Sequence, residues 1–333
     1  MSSDPRDPAL NAELAGAVIA LVAAHTLIGP GGLSLVEALA ALVGGADGVA
    51  RDIVWSIRAP RALAAALVGG ALGLSGAALQ GLLRNPLADA GVLDVSGFAS
   101  LGAVIAFAFG WTALAPWAPA ASAFACALGA AALVCALGVR LAGVSGLILV
   151  GVGVSSLSGA GIALTLNLAP APMTLADLVN WTLGSLANRS FDDLALAAPP
   201  IVVGGALLMA AGRPLAALAL GDEAARSLGV AVASVRIRII VGVALTAGAA
   251  TALAGIIGFV GVAAPHLVRG LVDHDPARAL APAALTGAVL LLVADLAVRL
   301  APFDQPLALG VAAAFIGAPI FILAAARLAE RAP

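Results

Sequence analysis

The chain contains no lysine. All sixteen basic residues are arginine, and charged residues make up only 10% of the 333. A P-loop places a lysine on its nucleotide phosphates, so this chain is not a standard P-loop ATPase. Schiff-base and pyridoxal chemistry are excluded for the same reason. Cysteine is nearly as scarce. Cys126 and Cys135 are nine residues apart and fall on opposite sides of a helix, which suits neither a disulfide nor a shared metal. A net charge of −2 gives no electrostatic case for nucleic acid.

What remains is apolar. The hydrophobic fraction is 62% and the mean hydropathy +1.11, which leaves too little polar surface to cover a soluble domain. The composition therefore predicts an all-α polytopic membrane protein with one membrane-embedded domain over residues 1–333. The 39 glycines suit close helix contacts in lipid. Met1–Asn11 reads as a polar tail, and the first apolar run lacks the exit of a cleavable signal peptide.

Ten candidate spans follow from apolar length. They are Leu14–Ile28, Arg61–Leu83, Val92–Trp111, Trp117–Val139, Leu147–Leu168, Leu194–Ala211, Ile239–Ala254, Ile256–Val268, Ala281–Val298 and Leu307–Leu328. The eighth is short enough to be a half-span covered by protein. Gly310, Gly317 and Pro319 predict a bend in the last. With the N-terminus in the cytoplasm, eleven arginines fall inside and five outside, so both termini are expected to be cytoplasmic. Of the outer segments, Ala169–Asp193 includes an amphipathic stretch, Leu175–Leu186, suited to the interface.

The longest inner segment, 212–238, contains Gly221-Asp222-Glu223-Ala224-Ala225-Arg226-Ser227-Leu228-Gly229. This predicts a short polar helix that leaves through a left-handed glycine. Intramembrane Asp295 needs a partner or water, and Arg299, one turn on, is the expected one. His266 beside Pro265 has no neighbouring metal-ligand types, so a structural hydrogen bond is expected. Gly151, Ser155 and Gly159 form a small-residue stripe in the fifth span.

Several ordered blocks resemble one family. Glu223-Ala224-Ala225 followed by Gly229 resembles the coupling motif of ABC-importer permeases. Arg58-Ala59-Pro60-Arg61, Gly69–Gly76 with Gln80, and Arg84-Asn85-Pro86-Leu87-Ala88-Asp89 are similar to the opening blocks of FecCD-type permeases. Gly255–Gly261 with Pro265–Arg269, then Ala294-Asp295 with Arg299, then Gly317–Phe321 match its later blocks. The family imports iron–siderophore complexes, haem and cobalamin.

The resemblance implies the type II importer permease fold and a homodimer of ten-helix subunits in a bacterial inner membrane. It also implies two ATPase subunits carrying ATP and Mg, and a soluble or lipid-anchored substrate-binding protein. It expects no cofactor, metal or catalytic residue on this chain. Asp222, Glu223, Ala224, Ala225 and Gly229 would couple to the ATPase. Arg58, Arg61 and Arg299 would receive acidic residues of the binding protein. Gly143, Ser145 and Gly146, with Gly151, Ser155 and Gly159, would line the pathway and its gate. Asn85, Pro86, Pro265, His266 and Asp295 would be structural.

Three places depart from the family pattern. Asp94 stands where it usually has Gly, Phe98-Ala99 replaces Gly-Ala, and Asp304-Gln305-Pro306 displaces the proline before the last span. A secondary transporter of a small metabolite is the rival reading. It requires buried acids or histidines in broken spans, for which Asp295 and His266 are the nearby candidates.

Overall fold

The computed structural model describes residues 6–30, 32–45, 48–138, 143–168, 181–301, 307–315 and 317–319. The described residues are almost all helical. In order they form α1 (Arg6–Leu27), α2 (Leu35–Leu42), α3 (Val49–Asp52), α4 (Ala59–Leu83), α5 (Val95–Ala108), α6 (Ala118–Leu133) and α7 (Gly143–Leu168). Then come α8 (Phe191–Ala210), α9 (Gly212–Ala219), α10 (Asp222–Ser227), α11 (Val232–Ala254), α12 (Val260–Arg269), α13 (Pro276–Leu300) and α14 (Leu309–Pro319). A π-helical turn, Ile53–Arg58, joins α3 to α4, and another, Val134–Gly138, extends α6.

Among the described residues, seven helices are long and apolar enough to cross a membrane, and three more, including α5 and α14, are apolar but shorter. Each of the ten expected spans overlaps one of these helices, with revised ends, and the tenth is described only to Pro319. The first span reaches back to Arg6. The third shrinks to the 14 residues of α5, because Asp94 takes a left-handed conformation (φ 52°) that no continuous helix contains. The eighth is the ten-residue α12. The amphipathic stretch Leu175–Leu186 is described only from residue 181, and Asp304–Pro306 and the chain beyond 319 lie outside the described residues.

At the centre stand α4 and α11, each with 78% of its apolar window buried. Glycine sets how closely their neighbours approach. A Cβ on Gly69 would sit 2.3 Å from the Gly287 carbonyl oxygen, and one on Gly73 would sit 2.2 Å from that of Ala283. The backbones of α4 and α13 therefore touch, with Gly69 and Gly73 four apart on one face. Gly76 meets the Gly261 carbonyl of α12 in the same way. On another face of α4, Ser75 Oγ and Thr246 Oγ1 of α11 share a buried hydrogen bond of 2.6 Å.

Backbone that leaves a helix inside hydrocarbon needs neighbouring protein to satisfy it. Gly255 and Phe259, both at φ 73°, bracket the break between α11 and α12. The neighbouring stretches satisfy one another: Ser185 N–H donates to Ala254 O (2.8 Å), Leu309 N–H to Gly184 O (3.0 Å) and Gly310 N–H to Leu183 O (3.1 Å).

Peripheral helices are largely uncovered. In α7 only 22% of the apolar window is buried, although the helix runs for 26 residues. Its buried side chains are Leu147, Val154, Ser158 and Thr165, a single stripe against the body. Leu149, Val152, Leu157 and Leu164 face outward.

Candidate functional site

The short helix α10 is closed at both ends by glycine. Gly221 (φ 104°) turns the chain in and Gly229 (φ 81°) turns it out. Val230 N–H donates to Ala225 O (3.0 Å) and Gly229 N–H to Arg226 O (2.9 Å). This is a Schellman closure, which a left-handed residue at position 229 makes possible. Asp222 accepts from Arg236 at the start of α11 (2.5 Å) and lies 3.9 Å from Arg84 at the end of α4. Ala225 is fully buried. The structure thus divides the motif residues: Asp222 and Ala225 hold the helix to the body, while Glu223 and Gly229 lie on the exposed side. Sequence reasoning counted Leu220 and Leu228 as the ends of the polar helix, but both lie outside it and are 70% and 65% exposed. They flank α10 and give an otherwise polar surface two apolar contacts; their position beside the two glycines was the available signal.

Asn85 and Pro86 follow α4 as a turn in which Asn85 Oδ1 accepts from Leu87 N–H (3.0 Å). With Arg84, Gln80, Pro265 and Arg269 they border a cavity of about 220 Å³ beside α9. Burial holds the Asp89 carboxyl above the ordinary carboxylate range, opposed by a hydrogen bond from Gly91 N–H. Half-buried His266 lies in the last turns of α12, adjacent to Pro265. Among the described residues, no three His, Cys, Asp or Glu side chains are grouped to hold a metal.

At the opposite ends of α4 and α13 lies a buried charge cluster. Arg61 grips Asp295 with three hydrogen bonds, Nε to Oδ2 at 2.9 Å and to Oδ1 at 3.2 Å, and Nη2 to Oδ1 at 2.8 Å. His25 Nε2 lies 3.3 Å from Oδ2 of the same carboxylate. This corrects the expected Asp295–Arg299 pairing. Asp295 faces α4 and α1, whereas Arg299 donates to the carbonyls of His25 (3.1 Å) and Ile28 (3.2 Å).

Arg58 is also corrected. It was expected at the surface, but it is 1% exposed and donates to the carbonyls of Leu27 (2.8 Å), Gly29 (2.8 Å) and Pro30 (3.1 Å). Both arginines cap the carbonyls left without partners at the end of α1. Arg61 and Arg299 are half-buried.

The pathway residues also separate. Gly151 packs onto the Val92 carbonyl, where a Cβ would approach to 2.0 Å, and Gly146 is buried. Gly143 starts α7 at φ 87°. Ser145, Ser155 and Gly159 lie on its uncovered side, and a Cβ at Gly159 would meet nothing within 4 Å. The stripe expected from spacing is therefore not one surface, since positions four apart drift around the helix.

A helical body built to cross the membrane repeatedly, a tethered helix displayed at one end and a long uncovered helix along one side define the membrane subunit of a transporter. The FecCD transport family model matches residues 17–327, and the chain belongs to that family. The vitamin B12 import system permease protein BtuC of Vibrio cholerae serotype O1 is 40% identical over 275 residues, 82% of each chain. The uncharacterized ABC transporter permease protein YvrB of Bacillus subtilis is 38% identical over 289 residues, 84% of this chain and 80% of its own. A solved structure of a metal-chelate type ABC transporter in an inward-facing conformation superposes with a TM-score of 0.82 and 28% identity, covering 98% of this chain and 100% of that one. This chain is a multi-pass membrane permease subunit of an ABC importer.

Proposed function

We propose that the chain works as a homodimer in the bacterial inner membrane, its termini cytoplasmic, and moves cobalamin or a related metal chelate. ATP and Mg bind separate ATPase subunits. The cargo class rests on the vitamin B12 permease relatives and the metal-chelate transporter neighbour. A substrate-binding protein docks at the outer ends of α4 and α13, where Arg61 and Arg299 stand. Arg58 supports that rim from inside by capping α1. Charge reversal of Arg58 therefore tests folding: Arg58→Glu is expected to abolish the folded protein in size-exclusion chromatography. A well-folded variant with weaker docking would restore Arg58 to the docking surface.

The observation that carries this reading is the tethering of α10. Asp222 joins it to the ends of α4 and α11, so a push on the exposed side reaches both central helices. Leu228→Asp leaves the backbone alone and is expected to lower co-purification of the ATPase at least tenfold, with an unchanged amount of permease in the membrane. Gly229→Arg should leave insertion intact but uncouple ATP hydrolysis from uptake. Full transport by both variants would overturn the coupling assignment.

A further inference from the structure

Asp94 is 7% exposed. Its carboxylate accepts a hydrogen bond from Ser158 Oγ at 2.5 Å. Ser158 is fifteen residues into α7, about 22 Å from its start at ~1.5 Å per residue. An ionisable group at that depth is costly unless it has a task and a partner. Asp94 also holds a left-handed backbone (φ 52°, ψ 28°) immediately before α5. Although it occupies the N-cap position of α5, its side chain caps none of that helix's amides. Instead, the carboxylate lies over Gly97 of α5 and receives a hydroxyl from a different helix.

The other side of the same segment is tied to the centre. Ser96 Oγ and Thr251 Oγ1 of α11 are 3.2 Å apart, and Ser100 Oγ donates to Ser96 O (3.0 Å). Polar contacts thus join α10 to α11 at Asp222 and Arg236, α11 to α5 at Thr251 and Ser96, and α5 to α7 at Asp94 and Ser158. Ser155, about one turn earlier in α7, also bonds this carboxylate, so two side chains of α7 meet one acid, while Gly151 packs on the Val92 carbonyl.

We propose that Asp94 is the positioning residue that fixes α7 to α5, the last link by which displacement of α11 reaches α7. That α7 lines the pathway rests on the function proposed above; that Asp94 positions α7 does not.

Three variants separate carboxylate from backbone. Asp94→Gly keeps the left-handed backbone and removes the pin, Ser158→Ala removes the buried donor and leaves the exposed Ser155, and Asp94→Asn keeps an acceptor. Spin labels at Leu157 of α7 and Leu128 of α6, with Cys126 and Cys135 replaced by serine, report the position of α7 in the full transporter complex. Uptake of cobalamin per ATP hydrolysed is measured on the same samples.

The expected result is a shifted and broadened distance distribution in Asp94→Gly and Ser158→Ala, not enlarged in the double variant, with Asp94→Asn like the parent. Uptake per ATP should fall on the order of tenfold in the first two, within the range of a typical coupling between sites. An unchanged distance in Asp94→Gly overturns the proposal. A shifted distance with unchanged uptake per ATP upholds the positioning role and overturns the pathway reading of α7.

Discussion

Asp295→Ala is expected to destabilise the protein by about 3–5 kcal/mol, the cost of removing one partner from a buried ion pair. Asp295 is fully buried and receives both the Arg61 fork and His25. Without it, the half-buried Arg61 guanidinium loses its carboxylate partner, and the His25 ring loses its contact. Thermal unfolding of the purified protein in detergent measures the effect, and a large drop in midpoint or in folded yield is expected. Removing the cation as well, in Asp295→Ala with Arg61→Leu, should recover part of the loss, because the stranded charge is then gone. An unchanged midpoint for Asp295→Ala would mean that water already reaches this cluster.

Adding a single methyl group at the α4–α13 contact should also be damaging. In Gly73→Ala the new Cβ would lie 2.2 Å from the Ala283 carbonyl oxygen, and in Gly287→Ala it would lie 2.2 Å from that of Gly69. Neither obstacle is a flexible side chain, so the helices must separate. A loss of about 1–3 kcal/mol follows, from overpacking at the contact. Gly129→Ala in α6 is the control, because nothing lies within 4 Å of its Cβ. There the substitution should stabilise by about 0.5–1 kcal/mol through helix propensity alone. Equal unfolding midpoints for Gly73→Ala and Gly129→Ala would show that α4 and α13 are not in backbone contact.

Local features were legible in the sequence and distant pairings were not. The nine residues from Gly221 to Gly229 carry their own start, acids, small residues and stop, so the helix and its exit could be read directly. The eighth span was visible as short, although its expected start at Ile256 lies four residues before the Val260 at which α12 begins. Asp295 was visible as a problem, since an acid in a span needs a partner. Its partners, however, lie 234 and 270 residues away, and helical spacing offered only Arg299. Arg58 was misplaced for a related reason. An arginine at the end of a span suits water equally well, and only the fold brings the end of α1 across it.

Facing was the other gap. With α4 and α11 apolar on all sides, periodicity carried no signal for which glycines meet backbone. Asp94 was noted as a departure in sequence, but its pairing with Ser158 depends on how α5 and α7 cross.

The central claim is that this chain is a gate driven by a separate ATPase, and uptake in vesicles tests it directly. The permease is reconstituted with and without its co-purified ATPase, with ATP on the ATPase side and binding protein loaded with cobalamin or a ferric siderophore on the other. Accumulation against the gradient is expected only when ATPase and ATP are both present. Uphill accumulation of either cargo by the permease alone would contradict the account.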